Sequence, residues 1–217
     1  MSAQQQLERL IQRYPALHLC EEDILRAYQI LRSCYQQDGL LLVCGNGGSG
    51  ADSEHIAGEL MKEFARRRPL PPDMKERLTE KYDKEGAYLA AHIQGALPVI
   101  PLTGNIALST AYANDAVPDL VFAQQVFGYG KKQNVLLGIS TSGNSRNVIY
   151  AMEMAGALGM KSIALTGKTG GRLKDIANVT ICAPAQSTPD IQELHLPIYH
   201  CICRMLEDEF FGVEEHV

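Results

Sequence analysis

Val135-Leu136-Leu137-Gly138-Ile139 is an unbroken apolar run that ends abruptly in Ser140-Thr141-Ser142-Gly143-Asn144-Ser145. Such a run, bounded by turn chemistry, reads as a strand buried on both faces, the mark of a parallel sheet covered by helices. Beyond the loop, Val148, Ile149, Met152, Ala155 and Leu158 recur at helical spacing up to Gly159. The hydroxyl-rich loop therefore joins the carboxyl end of a strand to the amino end of a helix. Unpaired N–H groups and the positive end of the helix dipole face a ligand there, and Gly143 lets backbone approach closely. Ser140, Thr141, Ser142 and Ser145 add hydroxyls, so an anion is the expected guest. The loop has neither the lysine of a Walker A sequence nor dinucleotide spacing, which leaves a compact phosphate monoester. A helix cap alone needs one such residue, not several.

Other strand-like runs are spaced along the chain: Leu40 to Cys44, Leu97 to Leu102, Lys161 to Thr166 and Val179 to Ala183. Helical patterns lie between them, and strands alternating with helices demand a parallel sheet. The expected fold is a three-layer α/β/α domain with a five-stranded parallel sheet in the order 2-1-3-4-5. Its ligand loops, at Gly45, Ser140 and Thr166, would gather beyond the strands' carboxyl ends. At 217 residues the chain has room for one substantial core, a single domain over 1–217. Two amphipathic helices precede the first strand, one carrying Leu7, Leu10, Ile11 and Tyr14, the other running from Glu21 to Tyr35. Lacking a sheet to cover, segment 1–37 is expected to bury its apolar stripes against another subunit. Residues 66–98 begin proline-rich, turn charged, and read as a long loop with a short helix from Met74 to Tyr82, a lid or subunit contact.

The net charge of −5 and the lack of any basic cluster beyond Arg66-Arg67-Arg68 argue against nucleic-acid binding. That triplet reads as a solvated helix end. No apolar run approaches the roughly 20 residues of a membrane span, and a cytoplasmic protein is expected. Cys20, Cys34, Cys44, Cys182, Cys201 and Cys203 are scattered in apolar text and read as reduced core thiols. Cys201 and Cys203 point to different faces of a helix, which weakens a shared-metal reading.

The first strand runs into a second anion-friendly turn, Gly45-Asn46-Gly47-Gly48-Ser49-Gly50, and then a helix from about Ala51 to Phe64. On it His55 and Glu59 stand at i and i+4, one above the other, a spacing suited to chelating one metal ion and also to an ordinary surface pair. The last helix, about Pro189 to Phe211, carries Gln192, Glu193, His195 and His200 beside an apolar stripe. Polar groups next to a core need partners, structural or functional. Gln192 and His200 lie about 12 Å apart along such a helix, so sharing one ion requires their side chains to lean together, or ligands from different subunits.

The wording Gly138-Ile139-Ser140-Thr141-Ser142-Gly143-Asn144-Ser145 resembles the sugar isomerase (SIS) domain family, the bacterial phosphoheptose isomerases in particular. The Cys44-to-Ser49 run with His55 and Glu59, the Asn114-Asp115 pair, and Gln192-Glu193-x-His195 followed by His200 are similar to the same family's text. The resemblance implies a flavodoxin-like SIS fold and a homotetramer with sites at subunit contacts. It implies a zinc ion held by His55, Glu59, Gln192 and His200, with Glu59 and His200 transferring protons. By the same resemblance Asn46, Gly47, Ser49, Asp115, Ser140, Thr141, Ser142, Ser145 and Gln192 would hold a sugar phosphate. The implied reaction interconverts sedoheptulose 7-phosphate and D-glycero-D-manno-heptose 7-phosphate. Segment 66–98 departs from the family as an insertion. The rival reading, a non-catalytic phosphosugar sensor or replication-initiator-binding protein, would be marked by a missing acid/base pair; here the pair is present.

Overall fold

The computed structural model describes residues 1–212. Strands β1 (Leu41–Gly45), β2 (Val99–Pro101), β3 (Val135–Ser140), β4 (Lys161–Thr166) and β5 (Val179–Cys182) form one parallel sheet, ordered β2-β1-β3-β4-β5. The register sets Gly45 beside Ile139 and Ser140 beside Thr166, so the strands' carboxyl ends finish together.

Alternate residues of each strand serve opposite cores, because strand side chains alternate between faces. Leu41, Val43, Val135, Leu137 and Ile139 join the core under α1 (Ala3–Arg13), α2 (Glu21–Gln36), α3 (Gly48–Met61) and α9 (Thr188–Phe211). Leu42, Cys44, Leu136 and Ala164 join the opposite core, under α6 (Val121–Tyr129), α7 (Arg146–Ala157) and α8 (Leu173–Ile176). At Gly138 a Cβ would collide with Val148 and Met152 of α7, so the glycine permits close helix–sheet packing. Helix α3 leaves β1 toward β2 and α7 leaves β3 toward β4. The chain thus diverges between β1 and β3, and such a divergence opens a crevice at the strands' carboxyl ends.

The leading helices do not lack cover. Helix α9 lies against both α1 and α2 and buries Leu7, Leu10, Ile24 and Leu31 within the chain itself. By contrast α5 (Ile106–Asp115) has no buried residue, and its Ile106 is 74% exposed.

Segment 66–98 is helical rather than loop: α4 spans Pro72–His92, with the backbone broken at Asp83 (φ +46°). Pro72 sits in its first turn, where a missing N–H costs nothing, and the charged residues that follow are good helix formers. Only Gly86 of α4 is buried. The segment's ends are stitched together, with Pro69 and Gln94 bridged and the Gly95 N–H donating to the Arg68 carbonyl at 2.6 Å.

Of the arginine triplet, Arg66 and Arg67 are exposed, but Arg68 is not part of a solvated helix end. Arg68 is 0% exposed and its Nε donates to Glu207 Oε1 at 2.8 Å, while its Nη1 and Nη2 donate to the carbonyls of Leu60 and Glu59 at 2.7 and 3.0 Å. Glu207 also accepts from the N–H groups of Phe64 and Ala65. One buried guanidinium thereby closes the C-terminal end of α3 and ties it to α9; Arg66 pairs beside it with Asp208. The six cysteines are free, five of them buried. No helix among the described residues is long and apolar enough to cross a membrane.

Candidate active site

Helices α3 and α9 run side by side in one direction. Gln192 lies against Gly48 at the start of α3, and Tyr199 meets His55 two turns on, so the pair keeps a constant register along the seam. A Cβ at Gly48 would displace the Gln192 amide, which marks how closely that side chain approaches the start of α3.

Along this seam His55, Glu59 and His200 converge. His55 Nε2 lies 3.1 Å from Glu59 Oε1 and 3.5 Å from His200 Nε2, and one donor atom from each residue falls within 4.8 Å of the others. Two imidazole nitrogens facing each other can share only one proton, and the buried Glu59 Oε2 has no hydrogen-bond partner. At Zn–N distances of about 2.0–2.1 Å, tetrahedral ligand atoms stand roughly 3.3 Å apart, so this donor set fits a zinc-sized ion. Burial lowers the pKa of His200 from its ordinary value, with His55 acting the same way and Glu59 opposing. His200 is therefore neutral at pH 7.

Behind His55, the Tyr199 hydroxyl lies 2.9 Å from its Nδ1 and donates to Asp52 Oδ1 at 3.2 Å. Burial, followed by the neighbouring Asp52, raises the Tyr199 pKa, so the phenol keeps its proton. Burial likewise raises Asp52, against the lowering effect of the Tyr199 bond and His55. His195 belongs to the core: fully buried, its Nε2 meets the Thr166 carbonyl at 3.1 Å, and burial lowers its pKa to about 4.

The hydroxyl loop occupies the crevice between β1 and β3. Gly143 adopts φ +66° against the Gly170-Gly171 turn, where a Cβ would meet backbone. Ser145, the residue before α7, shares a hydrogen bond with Ser140 at 2.9 Å and does not cap the helix; Asn147 Oδ1 accepts from the Val148 N–H at 3.0 Å, which leaves the N–H groups of Arg146 and Asn147. The amino end of α7 is thus left open to a ligand. Ser142 Oγ accepts from the Asn144 N–H at 3.1 Å, and Thr141 is half-buried. Asn46 and Asn147 exchange amide hydrogen bonds of 2.9 and 2.8 Å, joining the Gly47 turn to the hydroxyl loop. Helix α3 also starts uncapped, at Gly47 with φ +54°.

The sequence-predicted residues fall into three places. Asn46, Gly47, Gln192 and the residues from Ser140 to Ser145 gather at the two loops. His55, Glu59 and His200 gather along the seam, about 10 Å further along α3 at 1.5 Å per residue. Gln192 stands at Gly48, with the loops, about two turns of α3 before His55. Ser49 is buried in the first turn of α3, its N–H held by the Asn46 carbonyl. Asp115 is exposed at the end of α5, where its Oδ1 accepts from the Asn114 amide at 2.8 Å. A cavity of about 230 Å3 opens beside His200 between Arg9, Arg13 and Arg204. A larger one, about 830 Å3, lies among Arg26, Lys132 and Lys161, and none of the predicted residues lines it.

The family model described as "SIS domain" matches residues 5–87 and 84–167. The chain belongs to the SIS domain family. It is 34% identical over 199 residues to a phosphoheptose isomerase of Akkermansia muciniphila, covering 92% of each chain. It is 41% identical over 182 residues to that of Thiobacillus denitrificans, covering 82% of this chain and 79% of the relative. The solved structure of a phosphoheptose isomerase from Neisseria gonorrhoeae superposes with a TM-score of 0.71 at 32% identity, covering 93% of both chains. The five-stranded sheet and flanking helices are those of the SIS fold.

Three residues of this SIS domain escaped the sequence reading. Asp52 stands three residues before His55 on one helical face, a signal available from spacing. Tyr199 and Asn147 are each seen as partners only once α9 meets α3 and the two loops meet.

Proposed function

We propose that the chain is a phosphosugar isomerase interconverting a ketose phosphate and its aldose, with sedoheptulose 7-phosphate and D-glycero-D-manno-heptose 7-phosphate as the pair. The observation that carries this is the convergence of His55, Glu59 and His200 on one seam whose far end holds an open anion loop. An extended seven-carbon sugar phosphate has the length to rest its phosphate on the Ser140 loop and its carbonyl end at the seam. Remote anchoring of this kind holds the reacting carbons in place.

In this reading the Glu59 carboxylate removes the proton from the carbon beside the carbonyl and returns it to the neighbouring carbon. Neutral His200 passes a proton between the two oxygens. His55, Glu59 and His200 would hold zinc, which when bound supplies a Lewis acid beside the sugar oxygens. The position of Gln192 at Gly48 favours a substrate contact over a ligand role within one chain. We further propose a cytoplasmic homotetramer, on family likeness.

The test is turnover of five-, six- and seven-carbon ketose phosphates with and without zinc, in wild type and Glu59→Gln. Loss of a positioned base typically costs about 10²- to 10⁴-fold, so kcat should fall by that much while KM changes little. Wild-type rates in Glu59→Gln on every substrate would overturn the assignment.

A further inference from the structure

His55 turns its two nitrogens toward three partners, and its chemistry depends on where its proton sits. Its Nδ1 meets only the Tyr199 hydroxyl, at 2.9 Å, and that hydroxyl has a single proton, which is directed at Asp52 Oδ1. An ionised carboxylate accepts and never donates. The Tyr199 oxygen must then accept from His55, which places a proton on Nδ1; Nε2, beside the Glu59 carboxylate, is the nitrogen left to face a cation, a proton or a metal ion. That nitrogen points at Glu59 and His200. The rings also stand edge to face, Tyr199 against His55 at 5.5 Å and His200 against His55 at 5.0 Å, so the imidazole is held on both sides. Asp52 Oδ2 is buried without a partner, so Tyr199 is the hydroxyl that holds this carboxylate in place.

We propose that Tyr199 and Asp52 are positioning residues that fix His55 as its Nδ1–H tautomer, with the Nε2 lone pair presented to the metal position. The inference rests on the isomerase site proposed above and adds two residues to it. Ligating histidines held this way lose about 10- to 100-fold in metal affinity when the outer partner is removed.

The test uses full-length Tyr199→Phe, which keeps the ring that fills the core, and Asp52→Asn, which keeps the shape of the acid. Nitrogen-15 spectra of the metal-free proteins, with the His55 resonances identified by His55→Gln, read the tautomer directly. Zinc affinity is measured by competition with a chromophoric chelator, and circular dichroism checks the fold. The expected result is Nδ1–H in wild type, a mixture of tautomers in both variants, and zinc bound about 10- to 100-fold more weakly by each. Wild-type His55 found as Nε2–H, or both variants binding zinc within about twofold of wild type, overturns the proposal. A wild-type chain that binds no zinc removes the metal reading of the site, and the nitrogen spectra then decide the positioning role alone.

Discussion

Replacing Arg68 by Met tests how much of the site rests on one buried cation. The methionine keeps an apolar stem of similar length but withdraws every guanidinium hydrogen bond. Glu207, 1% exposed, would keep the N–H groups of Phe64 and Ala65 and lose its counter-charge. The carbonyls of Glu59 and Leu60 would lose their donors at the same time. Breaking a buried pair by removing one partner costs about 3–5 kcal/mol, because an uncompensated charge is left in the core. For a domain of this size that is a fall in Tm of roughly 6–20 °C. The same change loosens the last turn of α3, which carries Glu59, so zinc affinity should drop with stability. Urea unfolding and calorimetry of Arg68→Met, Glu207→Gln and the double variant would measure it. The double variant should recover part of the loss, since the neutral amide that replaces the Glu207 carboxylate leaves no charge stranded. A cost below about 1 kcal/mol for Arg68→Met, the value expected of a solvated pair, would refute the reasoning.

Ser142→Ala should raise KM roughly 10- to 150-fold by removing a hydrogen bond to a charged phosphate, about 1.5–3 kcal/mol, with kcat nearly unchanged; an unaltered KM would move the phosphate elsewhere. The burial of neutral His195 makes stability depend on pH with a definite sign. Its folded pKa, about 4, lies below the unfolded 6.5, so the unfolded chain takes up the proton first and stability falls as pH drops through that window. Between pH 7 and pH 5 the loss should be about 2 kcal/mol, and His195→Gln, whose amide can still reach the Thr166 carbonyl, should lack that component. Parallel urea melts of the two proteins at both pH values would expose an error in this assignment.

Much of the fold was legible because its strands are apolar runs of the right length, each followed by a turn and a helix. That alternation made the parallel sheet legible, and the expected 2-1-3-4-5 order is the one observed. Segment 66–98 was misread because the prolines at its start look like loop punctuation, whereas Pro72 opens the helix and the break falls at Asp83. Arg68 was misread for a different reason: charge runs on a surface are usual, and the carboxylate that makes this one internal lies 139 residues away. His55 and Glu59 could be paired by spacing and Asp52 could have been added the same way, whereas the residues alone left His200 apart until family likeness joined it, and Tyr199 was joined only by the packing of α9 on α3. The leading helices looked unpartnered because their cover, α9, comes last in the chain.

That order has a consequence for synthesis. His55 leaves the ribosome 145 residues before His200, an interval of roughly 7–29 s at about 5–20 residues per second. Throughout it the apolar stripes of α1 and α2, and the inner side of α3, await a helix that has not been made. The nascent chain is therefore a natural client for holding chaperones, and stop codons anywhere before α9 should yield aggregation-prone fragments rather than weakened enzymes.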